Sequence, residues 1–98
     1  MTIHKHENDT ELTLALEGRL DTTTAPELEK LLKESLDGIT ALVFDFEKLE
    51  YISSAGLRVL LAAQKTMNRQ GSMKVIHVGE IIMEIFEVTG FSEILTIA

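Results

Sequence analysis

The chain of 98 residues contains no cysteine, which excludes disulfides, thiolate metal sites and cysteine nucleophiles. Cations are scarce: nine Lys and Arg stand against 16 Asp and Glu, for a formal net charge of -7. A surface of that sign repels a phosphate backbone and an anionic membrane, so neither nucleic acid nor a lipid surface is an expected partner. The same charge suits a basic protein partner and equally serves solubility. No apolar run approaches the ~18 residues that cross a bilayer, and the first residues lack the apolar stretch of a signal peptide. The expected location is therefore cytoplasmic. There is no glycine-rich phosphate loop ending in Gly-Lys-Ser or Gly-Lys-Thr, and no paired acid/base cluster along the chain. Catalytic residues and cofactors are accordingly not expected. Linkers, repeats and low-complexity tracts are absent too, and the length suits one domain over residues 1–98.

What is present is a short-period alternation of strand and helix signals. Glu11–Glu17 carries leucine at every second position, the mark of a half-buried strand. Residues 2–6 can pair with it through the polar turn Glu7-Asn8-Asp9. Gly18 breaks the pattern. Thr24 and Glu27 have capping-box spacing, with Pro26 tolerated in a first turn, so a helix opens at Thr24. Its buried face is Leu28, Leu31, Leu32 and Leu36, and Gly38 is placed to end it. Residues 41–46 are more continuously apolar, which predicts a central strand covered on both faces. A second helix is expected over residues 54–68, with Leu57, Leu60, Leu61 and Met67 inward. Residues 73–78 read as a further strand. A third helix follows Gly79, with Ile81, Ile82, Ile85 and Phe86 spaced for the core and Gly90 at its end. Residues 91–97 add a short last strand. The expected fold is α/β, a mixed β-sheet covered by three to four α-helices, with right-handed crossovers between parallel strands.

The segment Tyr51-Ile52-Ser53-Ser54-Ala55-Gly56-Leu57 lies where a strand hands over to a helix. A helix N-terminus has free N–H groups and a partial positive charge, so a serine there can cap the helix, and a phosphate there is stabilised. This suits a switchable serine better than a catalytic one, since a serine nucleophile needs an adjacent base held by a third group. None of the three histidines is near Ser54 in sequence. His4 and His6 share a face of the first strand, as a two-ligand metal site would begin, but no third ligand is apparent and no metal site is expected. His77 reads as a core or strand-end residue.

Three landmarks in register resemble the STAS domain of the anti-sigma-factor antagonist type. They are Gly18-Arg19-Leu20-Asp21-Thr22-Thr23-Thr24-Ala25, the run from Val43-Phe44-Asp45-Phe46 to Ser53-Ser54-Ala55-Gly56-Leu57, and Val88-Thr89-Gly90-Phe91. The resemblance implies a single STAS-like domain that acts by binding. Its unphosphorylated form would bind an anti-sigma factor that is also a serine protein kinase, freeing the sigma factor. Phosphorylation of the loop serine would switch binding off, and a PP2C-type phosphatase would reset it. Aligning on Gly56-Leu57 puts the acceptor on Ser54, with Ser53 the second candidate. Ser53 stands where the family often carries an acid, and Ala55 where it carries Ser or Thr. Asp21, Thr22, Thr23, Ser53, Ser54, Ala55, Gly56 and Arg58 are the implied partner-binding residues. Plainer roles compete: a turn cap for Asp21 and the threonines, a helix cap for Ser54, packing for Gly56 and a solvated helix face for Arg58. The free protein is expected to be a monomer. The alternative is a constitutive STAS scaffold in a signalling or transport assembly, without a phosphate cycle.

Overall fold

The computed structural model describes residues 1–98. Its order is β1 (Thr2–Asn8), β2 (Glu11–Leu20), α1 (Ala25–Ser35), β3 (Ala41–Ile52), α2 (Ser54–Gln70), β4 (Ser72–Ile76) and α3 (Glu80–Thr89), followed by a 3-10 turn at Phe91–Glu93. One four-stranded sheet has the order β1-β2-β3-β4. β1 runs antiparallel to β2, whereas β2, β3 and β4 are mutually parallel. The mixed sheet and its three helices match the α/β expectation.

Alternation decides which face is covered. Leu12, Leu14 and Leu16 of β2 point into the core with Leu42, Phe44 and Phe46 of β3. Leu28 and Leu32 of α1, Leu57, Leu60, Ala63 and Met67 of α2, and Ile82 and Phe86 of α3 join the same cluster. All three helices therefore cover one face, and the rings of Phe44, Phe46 and Phe86 stack in sequence with centroids 5.9 and 6.3 Å apart. The opposite face carries His4, Thr13, Ala15, Val43 and Asp45 and has no helix on it. β3 is central, as expected, but it is covered on one face only. Val43 is buried between neighbouring strands and stands outside the core cluster.

β3 runs six residues past its expected end. Its register against β2 shifts twice, between Ala15 and Glu17 and again between Gly18 and Arg19. Each shift adds one residue to β3, a bulge that re-aims the side chains after it. The inward series thus becomes Leu42, Phe44, Phe46, Leu49, Ile52, all buried. Strict alternation stops at Phe46, so the residue pattern alone does not carry the strand beyond that point. Gly18 takes a φ of +101° at this irregularity, and β2 continues through it to Leu20.

Several local expectations change. The first hairpin turns at Asp9-Thr10, with β1 reaching Asn8. Thr24 occupies the N-cap position of α1 but makes no side-chain cap bond, so the capping box does not form. The Thr24 hydroxyl instead donates to Arg19 O at 2.9 Å and accepts from Asp21 N–H at 2.8 Å. Ile81 is exposed rather than in the core, and Ile85 is only partly buried. Residues 91–97 form the 3-10 turn and a single parallel bridge, Ile97 to Val75, in place of a strand.

Candidate functional site

Parallel strands bring their carboxyl ends to one edge, and in open α/β sheets that edge is where loops gather to bind. Here Leu20 and Ile52 are paired at the ends of β2 and β3, and Ser53 N–H donates to Leu20 O at 2.9 Å. The loop after β2 (Asp21–Thr24) and the start of α2 therefore lie side by side. Thr22, Ala25, Pro26 and Glu29 from one side and Ala55, Arg58 and Val59 from the other line a shallow depression of about 280 Å³.

The two serines have different fates. Ser53 is the N-cap of α2, with extended backbone (φ -98°, ψ 176°), and its hydroxyl makes no cap bond. Its Oγ is buried and has no hydrogen-bond partner. Ser54 is the first helical residue, and it is exposed. The cap reading thus moves from Ser54 to Ser53, and even there the capping bond is missing. The amides of Ser54, Ala55 and Gly56 have no protein acceptor, as the first turn of a helix dictates.

Asp21 organises its own loop. Its Oδ1 accepts from the Thr23 hydroxyl at 2.7 Å, from Thr23 N–H at 3.0 Å and from Thr24 N–H at 3.2 Å. The Thr23 hydroxyl bond, helped by these backbone amides and the Thr24 hydroxyl and opposed by partial desolvation, holds the Asp21 carboxyl below its ordinary value. Oδ2 faces Arg19 Nε at 3.7 Å, and the Arg19 guanidinium lies 4.4 Å from the centre of the Tyr51 ring. Asp21 is a turn cap by geometry and an ionised group at the rim. Thr22 and Thr23 are exposed beside it.

Of the other candidates, Arg58 is exposed one turn after Ser54, and Ala55 is half-buried. Gly56 faces inward. A Cβ there would lie 2.7 Å from Leu20 Cγ and 2.8 Å from Ile52 Cγ1, so Gly56 lets α2 sit down on the strand ends. Its place is in the packing beneath the rim, out of reach of a docking partner. The rim thus assembles Asp21, Thr22, Thr23, Ser54, Ala55 and Arg58 as one surface.

Sequence reasoning missed two groups. Arg19 and Tyr51 join the rim because the bulged register pairs them across β2 and β3. On the open face, Asp45, Glu47 and His77 converge, with one donor atom from each within 4.8 Å of the others. Of the two readings of His77, the strand-end one holds: it lies just past the end of β4, exposed, with φ +57°. The hydrogen bond to Asp45 raises the His77 pKa above 6.5, aided by the Asp45 and Glu47 charges. Partial burial pushes Asp45 up, but the bond from His77, the Glu47 N–H and the His77 charge outweigh it and hold Asp45 low. His4 pairs with Glu17 at 3.1 Å, away from His6 as a shared ligand set.

A four-stranded mixed sheet with helices on one face, and loops of strand-end serine and aspartate at one edge, defines a small α/β binding module. The sequence model of the STAS domain matches residues 2–98. BtrV of Bordetella bronchiseptica is 36% identical over 89 residues, covering 89% of this chain and 77% of that protein. The anti-sigma-B factor antagonist of Listeria monocytogenes is 30% identical over 101 residues, covering 99% and 88%. An anti-sigma factor antagonist from Mycobacterium paratuberculosis superposes with a TM-score of 0.87 at 25% identity, covering 98% of this chain and 83% of that one. SpoIIAA of Bacillus in its phosphorylated form superposes with a TM-score of 0.78 at 15% identity, covering 99% and 91%, a likeness of fold. The chain belongs to the STAS domain family. No helix is long and apolar enough to cross a membrane.

Proposed function

We propose that the chain is an anti-sigma factor antagonist switched by phosphorylation of Ser54. Its unphosphorylated form binds an anti-sigma factor that is also a serine protein kinase, and so frees the sigma factor. A PP2C-type phosphatase reverses the mark, and the cycle runs in the cytoplasm with the antagonist monomeric when free. The names carried by relatives in the same family support the class. The observation that carries the switch is the contrast between the two serines: Ser54 offers an exposed hydroxyl on the rim, while Ser53 Oγ is buried. A kinase needs the first arrangement.

The physics of the switch follows from the rim. Phosphorylation adds roughly -1.5 to -2 charges. At the first position of α2 the free amides and helix dipole favour that charge, and Arg58 lies one turn away. The ionised Asp21 and Glu29 oppose it nearby. The isolated domain therefore accepts the phosphate without refolding. A partner seated over Ser54 does not, because a dianion desolvated against it without a matching cation costs several kcal/mol. Dissociation then comes from the interface alone.

The test is a pull-down from host lysate with wild-type, Ser54→Ala and Ser54→Asp baits, read by mass spectrometry. A small ATP-binding kinase should stay with the first two and be lost from the third. Identical captures on all three would overturn the switch. They would favour the constitutive scaffold, for which the loss of the family's acid at Ser53 is the supporting observation. Backbone NMR shifts spread across the sheet on phosphorylation would overturn the interface-only account.

A further inference from the structure

The open face of the sheet holds a polar constellation that the phosphoswitch does not use. His4, Ala15, Asp45 and Ile76 are successive pairing partners across all four strands. Ala15 contributes only a methyl group, so a depression of about 300 Å³ opens between taller neighbours, walled by His4, Glu17, Asp45, Glu47 and Lys48. At its β4 side the chain turns through His77 in the left-handed region, and this brings the imidazole over Asp45, with Nδ1 2.9 Å from Oδ1. Both hydrogen bonds to Asp45, from His77 and from Glu47 N–H at 3.0 Å, fall on Oδ1. Asp45 Oδ2 and the Glu47 carboxylate have no protein partner, and the one partner of His77 Nδ1 is Asp45 itself.

We propose that Asp45, Glu47 and His77 form a binding site for a divalent transition-metal ion of the zinc class. Donor atoms within 4.8 Å of one another fall inside the reach of one ion once exposed side chains rotate slightly, since Zn²⁺ sits about 2.0–2.2 Å from nitrogen and carboxylate ligands. An imidazole with two carboxylates selects Zn²⁺, Co²⁺ or Ni²⁺ over Mg²⁺ and Ca²⁺, which prefer all-oxygen sets. The Glu47 N–H fixes the Asp45 carboxylate from behind, as outer partners of metal ligands do. Solvent completes the coordination at this exposed site. Lys48 on the same depression opposes the cation, and Glu17 is occupied by His4. An ion there takes the place of the proton that His77 Nδ1 shares with Asp45 Oδ1.

The site is separate from the serine rim. Asp45 and Ile52 are seven positions apart on β3, roughly 20 Å of strand. The proposal therefore stands or falls independently of Ser54.

The experiment is calorimetric titration of the untagged full chain with Zn²⁺, repeated with Co²⁺ and followed by visible absorption. Wild type should bind one equivalent saturably, with a Co²⁺ d–d band. His77→Asn and Glu47→Gln should each weaken binding tenfold or more, while His4→Asn leaves it unchanged. All three positions are exposed, and circular dichroism checks that each variant folds. Absence of saturable binding would overturn the proposal and leave a plain His–Asp pair. Equal binding by wild type and His77→Asn, or loss in His4→Asn, would overturn it as well by placing the ion elsewhere.

Discussion

The two faces of one sheet are built from alternate residues of the same strands, and they do opposite jobs. One buries Leu12, Leu14, Leu16, Leu42, Phe44 and Phe46 under three helices. The other leaves two hydrogen-bonded His–carboxylate pairs, His4 with Glu17 and His77 with Asp45, and the free carboxylate of Glu47. The covered face sets stability, and the open face is free to carry chemistry. Between them lies the carboxyl-end rim, where the packing of the first meets the polarity of the second. Gly56 and Ser54 are two residues apart on α2, yet one is a packing device and the other stands exposed on the rim.

The largest effect expected belongs to the covered face. Phe44→Ala should cost about 3–5 kcal/mol in denaturant melts, through lost burial and the cavity left between Phe46 and its neighbours. A loss near 1 kcal/mol would mean the core collapses to fill the gap. Next comes the underside of the rim. Gly56→Ala should cost about 1–3 kcal/mol, because the new methyl meets Leu20 and Ile52 and must push α2 away from the strands. If Gly56→Ala instead leaves stability intact but weakens kinase binding, the glycine acts at the interface and its assignment to packing is wrong.

Ser53→Ala sharpens the comparison between the serines. An N-cap serine is ordinarily worth about 1 kcal/mol. Here its hydroxyl is buried and unpaired, so the alanine variant should be neutral or slightly more stable, within about 0.5 kcal/mol. A full capping loss would show that the hydroxyl does bond the α2 amides.

The smallest effect is on the open face. The folded-state pKa of His77 is raised above 6.5, so the pair stabilises the fold fully below that value. The contribution is lost as pH rises through the folded-state pKa. An NMR titration should give His77 a later midpoint than a free histidine, and Asp45→Asn should bring it back down. A His77 midpoint unchanged by Asp45→Asn would break the pairing.

Much of the architecture was legible because the covered face writes itself into the chain with period two in strands and three to four in helices. The alternating leucines of residues 12–16 and the stripe Leu28, Leu32, Leu36 required no tertiary knowledge. The bulges in β3 were not legible, since Glu47, Lys48 and Glu50 look like a turn until the register shifts are seen to keep Leu49 and Ile52 inward. Thr24 misled for another reason: its hydroxyl is drawn to the Asp21 loop, and local spacing cannot show that competition. At the rim, the strand-to-helix junction was readable, but which serine caps depended on where α2 begins. The meeting of Asp45 and Glu47 with His77 was hidden, because it joins residues 30 or more positions apart through parallel pairing.

The most direct test of the account is calorimetry of the cognate kinase, captured on a Ser54→Ala bait, against unphosphorylated, Ser54-phosphorylated and Ser54→Ala protein. The account predicts equal affinity for the unphosphorylated and alanine forms. The phosphorylated form should bind about a hundredfold more weakly, which corresponds to about 3 kcal/mol of uncompensated charge at the interface. Undiminished binding by the phosphorylated form, or a phosphate mapped to Ser53, would contradict it.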